Sequence, residues 1–207
     1  MSPRRLLRSV GPAVLVIALV IAVIWGLYSP DFEPTVTALA LLGSLLAVIL
    51  DSRLAERERR RQMLRVLVHE MFMNLSVVKE LRTFSRPEKV MKVNLYPRFY
   101  TTSLTAAISS GQFVEARDDE LWKLMHSWLQ RASECNNALA LTELQVSSDP
   151  ARAENLNKKV SESAVTRKAS DVCCALAQHL IGRYEPETSI ASDTMLFEIK
   201  KAREGNA

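Results

Sequence analysis

The sequence predicts an all-α membrane protein: a two-helix transmembrane hairpin whose second helix extends into a cytosolic antiparallel helical bundle. Three observations predict it. Two long uncharged runs, Val10–Tyr28 and Thr35–Leu50, open the chain. Beyond them apolar residues recur at three- and four-residue steps, the helical period, rather than in alternation. No Asn-Gly or Asp-Gly hairpin signal and no internal repeat occurs. The segments divide into a basic cytoplasmic N-terminus (1–9), a first span (10–28), a short external loop (29–34), a second span (35–52) and a cytosolic helical domain (53–207).

A transmembrane helix needs about 20 apolar residues to cross about 30 Å of hydrocarbon, and the first run meets that length. The second has an uncharged core of only 16 residues. It spans if Phe32 and the Asp51-Ser52-Arg53 edge are drawn toward the interfaces by snorkelling or local thinning. Arg4, Arg5 and Arg8 precede the first span and Arg53, Arg57, Arg59, Arg60 and Arg61 follow the second, while the loop "SPDFEP" carries only Asp31 and Glu33. The positive-inside rule therefore puts both termini in the cytoplasm, with Trp25 and Tyr28 at the outer interface. A cleaved signal peptide is disfavoured: the run is too long for an h-region, and no small-x-small site precedes a plausible cut.

Small residues recur every four places on both spans, as Ala18, Ala22 and Gly26, and as Ala40 with Ser44 and Gly43 with Ala47. Such stripes let backbones approach closely in lipid. They serve to close the hairpin or to build a homo-oligomer.

The second span continues beyond the membrane. No Gly or Pro stands between Gly43 and Pro87 and strong helix formers dominate, so one helix is predicted from about Pro34 to about Phe84, a rod of roughly 75 Å. Leu64, Leu67, Val68, Met71, Leu75, Val78 and Leu81 form its apolar stripe. The juxtamembrane cluster Arg57, Arg59, Arg60 and Arg61 is placed among anionic head groups, each cation contributing on the order of 1 kcal/mol. Nucleic acid is not the partner expected. The first 61 residues hold eight of the 27 Lys+Arg and five of the 23 Asp+Glu, leaving 19 against 18 in the remainder, without the excess that phosphate binding needs.

The rest reads as helices that cover the stripe. "YPRFYTTSLTAAISSG" predicts a short helix closed by Gly111. "RDDELWKLMHSWLQRASECNNALALTELQV" opens with acids suited to a helix N-terminus and puts Leu121, Met125, Trp128, Ala132, Cys135 and Leu139 on one face. Asp149 as cap and Pro150 as first helical residue begin the next. That helix carries Leu156, Val160, Ala164, Val172, Leu176 and Leu180 as far as "YEPETS". A last helix is predicted from about Ser192 to about Arg203.

Little catalytic material is present. "VLVHEMFMN" imitates half of the zinc motif HExxH, but the second histidine would fall at position 73, which is Met73. Cys135, Cys173 and Cys174 lack CxxC spacing and read as buried thiols. No phosphate-cradling loop or nucleophile elbow occurs. No cofactor or metal is expected, and an enzyme is the least favoured class. Glu70 and Asn74, one turn apart, and Asn136 predict a polar clasp between the extended helix and the third cytosolic helix, with Asn137 beside it, because buried amides and carboxylates must find partners.

In layout, "RRLLRSVGPAVLVIALVIAVIWGLY", "TVTALALLGSLLAVILDSRLAERERRR" and "HEMFMNLSVVKEL" together resemble the small two-transmembrane effector proteins of bacterial antiphage systems, such as those partnered with retron reverse transcriptases. The resemblance covers about the first 85 residues and transfers no catalytic residue. It implies a bacterial inner-membrane protein, held by a cytosolic protein partner or sensor, that damages the membrane on release. A constitutive membrane anchor or regulatory subunit, whose helical domain docks a partner, is the rival expectation.

Overall fold

In a computed structural model of the chain, the residues described are 33–83, 95–113 and 118–188, with isolated positions 17, 20, 21, 23, 24, 28, 197, 199 and 200. All secondary structure among them is helical: α1 (Glu33–Thr83), α2 (Thr102–Ser110), α3 (Asp119–Ser148), a 3-10 turn (Pro150–Arg152), α4 (Ala153–Glu162) and α5 (Ala164–Thr188). The chain divides into two compact units, Met1–Arg59 and Arg60–Ala207.

In the first unit, α1 begins one residue from its predicted start, and from Ala40 to Arg59 none of its residues is buried. Leu41, Leu45, Val48, Leu50 and Leu54 are all more than half exposed. At the isolated positions of the first apolar run, Ile17, Val20, Ile21, Val23, Ile24 and Tyr28 are helical and exposed. Among the described residues no helix is long and apolar enough to cross a membrane. The predicted loop falls largely outside them.

The second unit is built around the predicted stripe of α1. Leu64, Leu67, Val68, Met71, Leu75, Val78 and Leu81 are all buried, as is the whole predicted face of α3, from Leu121 to Leu139. α3 packs most extensively against α5, and α2 and α4 lie against α3. α2 ends as expected, with Gly111 at φ 64° and its N–H donating to the Ile108 carbonyl. Only glycine takes that left-handed conformation without a steric penalty.

Three boundaries differ from the sequence reading. The helix predicted over "YPRFYTTSLTAAISSG" begins only at Thr102, because residues 96–101 are non-helical. Pro97 biases Tyr96 away from helix, and side chains of neighbouring helices hold the backbone that follows. The helix expected from Asp149 onward is broken at Ser163, which has ψ 145°. Its Oγ accepts the Thr166 N–H at 3.1 Å while the Thr166 hydroxyl donates to the Val160 carbonyl at 2.8 Å, so Ser163 starts a new helix. This resets the phase, leaving Ala164 exposed and burying Ala169. Finally, α5 passes through Pro186 to Thr188 rather than stopping at "YEPETS". Of the last predicted helix, positions 197, 199 and 200 are described and helical, with Ile199 in the core.

Candidate functional site

Besides the Arg82–Ser170 hydrogen bond and the Ser163–Thr166 pair, two larger groups of polar side chains stand among the described residues of the second unit. The first lies at Arg60, where burial on α1 begins. Its guanidinium donates to both carboxylate oxygens of Asp118, at 2.8 Å each, and Tyr184 donates its hydroxyl to Asp118 Oδ1 at 2.7 Å. Arg60 stands over the rings of Phe113, at 5.1 Å, and Tyr184, at 5.8 Å. Asp118 has no exposed surface and Arg60 retains 7%. A buried charge pair of this kind has to be paired and hydrogen-bonded to be tolerated at all. Burial, with the hydrogen bond to Asp118 and that carboxylate's charge, pushes the Tyr184 phenol up to about 12, against the opposing pull of Arg60. Beside it, His179 Nδ1 lies 3.7 Å from Glu120 and its ring meets Tyr184 edge-on.

The second place is the segment Tyr96–Thr101, stitched between α1 and α3. Asn136 accepts the Phe99 N–H at 2.9 Å and donates to the Phe99 carbonyl at 3.0 Å. Asn74 does the same for Tyr100, accepting at 2.7 Å and donating at 2.8 Å. One residue's N–H and C=O face α3 and the next residue's face α1, the alternation of an extended strand. Glu143 accepts the Tyr96 N–H at 2.6 Å and pairs with Arg98, which also donates to the Asn136 carbonyl at 2.8 Å. The Tyr96 hydroxyl meets Asn157, and Phe99 packs edge-to-face on Trp128 with centroids 5.1 Å apart. Glu70 closes the segment by accepting the N–H groups of Ser103, at 2.6 Å, and Leu104. Neither is satisfied within the first turn of α2, whose cap position Thr101 supplies no side-chain hydrogen bond.

Glu70, Asn74 and Asn136 are brought together, but the clasp is indirect: each grips the backbone of the intervening segment instead of another helix's side chain. Asn137 points to solvent. Arg57, Arg59 and Arg61 are exposed, whereas Arg60 is no head-group-facing cation: a helix turns 100° per residue, and that step carries it inward to Asp118. Of the small-residue stripes, Ala40, Ser44 and Ala47 are exposed, and a methyl group on Gly43 would meet nothing within 4 Å. Ser44 turns its hydroxyl back to the Leu41 carbonyl at 2.8 Å. Ala18, Ala22 and Gly26 lie outside the described residues. His69 and Met73 are exposed.

Asp118, Tyr184, Arg98 and Glu143 escaped the sequence reading. Asp118 looked like one of several acids at a helix N-terminus, and nothing local distinguishes it from Asp119. The cysteines are buried thiols, and burial raises Cys173 well above the ordinary thiol range, with Cys174 adding to the effect. No group of three metal-ligating side chains occurs among the described residues. No family model, curated protein or solved structure matches the chain.

Proposed function

We propose that the chain is a two-span protein of the bacterial inner membrane that perturbs the bilayer as the effector of an antiphage system, restrained by a cytosolic partner. One observation carries the membrane part: α1 has no buried residue between Ala40 and Arg59, although the sequence is uncharged from Thr35 to Leu50. A helix apolar all round needs an apolar surrounding, either a protein core or lipid. In the hairpin reading the first run pairs with this helix and both termini face the cytoplasm. The exposed Arg57, Arg59 and Arg61 then meet anionic head groups. The effector part rests on the resemblance in layout. With only Thr35, Thr37 and Ser44 as notable polar side chains, the spans lack the charged or carbonyl rings of a selective pore. The lesion is therefore nonselective, formed when short second spans of several copies come together.

The test is induced expression of the full chain, with and without its genomic neighbours, following a potential-sensitive dye and propidium uptake. Both respond if the reading holds. A protein that resists carbonate extraction yet leaves potential and permeability untouched, even under phage challenge, is the anchor instead. The anchor reading is favoured by the exposure of Leu141 and Leu144 on α3 and of Leu95, next to the Tyr96 that Glu143 holds, apolar side chains that a docked protein would cover.

A further inference from the structure

The six residues from Tyr96 to Thr101 are bound to the bundle as an added strand is bound to a sheet edge, with amide side chains in place of the edge. Two asparagines on separate helices take both main-chain groups of consecutive residues, Phe99 and Tyr100. Main-chain hydrogen bonds of this kind give affinity without side-chain identity, and pockets for selected side chains give specificity. Three side chains of the segment have such seats. Phe99 enters against Trp128, Tyr96 is buried with its hydroxyl on Asn157, and Arg98 meets the Glu143 carboxylate. Tyr100 is half exposed and specifies little.

Two further features separate a recognition groove from a simple brace. The walls are held by contacts that bypass the segment: α3 packs on α5, and the α1 stripe sits in the common core. In addition, the indole N–H of Trp128, fully buried on the ring that receives Phe99, has no acceptor among the described residues. A buried donor left unmet costs free energy, which a ligand bringing an acceptor to that ring would relieve.

We propose that this groove is a peptide-binding site whose resting ligand is the chain's own segment 96–101. Its second ligand is an extended segment of a partner protein bearing an aromatic residue, a basic residue two places on and another aromatic immediately after. The occupant's class follows from the acid at Glu143 and from the aromatic seats beside Trp128 and Asn157. Binding in trans displaces the resident segment and frees Glu70, which caps α2 just beyond it. The inference stands whether or not the chain acts on a membrane.

The test uses full-length protein in detergent and a fluorescein-labelled peptide of the sequence Leu95 to Thr101, read by anisotropy. Phe99→Ala weakens the resident segment, so this variant should bind the peptide at least tenfold more tightly than the wild type. A peptide with Arg98→Glu, or an added Asn136→Ala in the protein, should each lose that gain. Equal binding by wild type and a helical Phe99→Ala protein, or indifference to the peptide's Arg98→Glu change, overturns the proposal. Should Phe99→Ala fail to fold, Tyr96→Phe serves the same comparison, since it removes only the hydroxyl contact. Peptide binding that converts a dimer to a monomer would assign the second ligand to another copy of this chain and overturn the partner-protein assignment.

Discussion

At the scale of single residues, the buried carboxylate of Asp118 dominates. It accepts two hydrogen bonds from Arg60 and one from Tyr184, and removing it leaves a nearly buried guanidinium without its carboxylate, the Gln112 carbonyl at 3.4 Å being a weaker acceptor. Asp118→Ala should therefore destabilise the second unit by about 3–5 kcal/mol, whereas Arg60→Met with Asp118→Leu should recover most of that loss. Urea denaturation of the detergent-solubilised chain measures both. Tyr184 makes a separate prediction. Its folded pKa, about 12, exceeds the ordinary phenol value of 10, so its contribution is fully present below pH 10 and lost as pH rises toward 12. Tyr96 shifts in the same direction, by burial and the nearby Glu143 charge. Tyr184→Phe should flatten the loss of helical circular dichroism between pH 10 and 12 without abolishing it.

At the scale of elements, the segment 96–101 links α1 to α3 through two amides on opposite edges of one extended stretch. Each amide holds the stretch in the position where the other amide can reach its own main-chain pair. Asn74→Ala and Asn136→Ala should thus be less costly together than the sum of the singles, with an interaction of about 0.5–3 kcal/mol in a double-mutant cycle. Additive losses would show that the amides act independently. The break between α4 and α5 has a comparable local cause. One hydroxyl at Ser163 captures the Thr166 N–H, and side-chain bonding of this kind competes with a continuing helix.

At the scale of the whole molecule, α1 changes character along its length, from a stretch with no buried residue between Ala40 and Arg59 to one packed on one face from Arg60 onward. If the chain acts on the bilayer as proposed, the intact helix is needed for the helical bundle of the second unit to govern that action. Inserting Gly-Pro after Ala55 should keep the protein in the membrane fraction while abolishing the propidium response to induction. Uptake that persists after the insertion would show that the lesion needs no continuous α1.

The residue pattern by itself determined the helical class, the extent of α1 to within a residue or so, the Gly111 stop and the buried faces of α1 and α3. Each of these follows from periodicity and backbone preference within one segment, which need no knowledge of a neighbour. Glu70, Asn74 and Asn136 were legible as polar residues bordering apolar faces, hence as groups that must find partners. Their partners were not, because Asn136 meets Phe99 and Asn74 meets Tyr100 across 37 and 26 residues of chain. Arg60 shows the same limit more sharply. In sequence it is one arginine of a solvated run, and only the packing of Phe113, Asp118 and Tyr184 around its side of the helix decided that it alone of that run turns inward, where its charge is matched by a carboxylate 58 residues away.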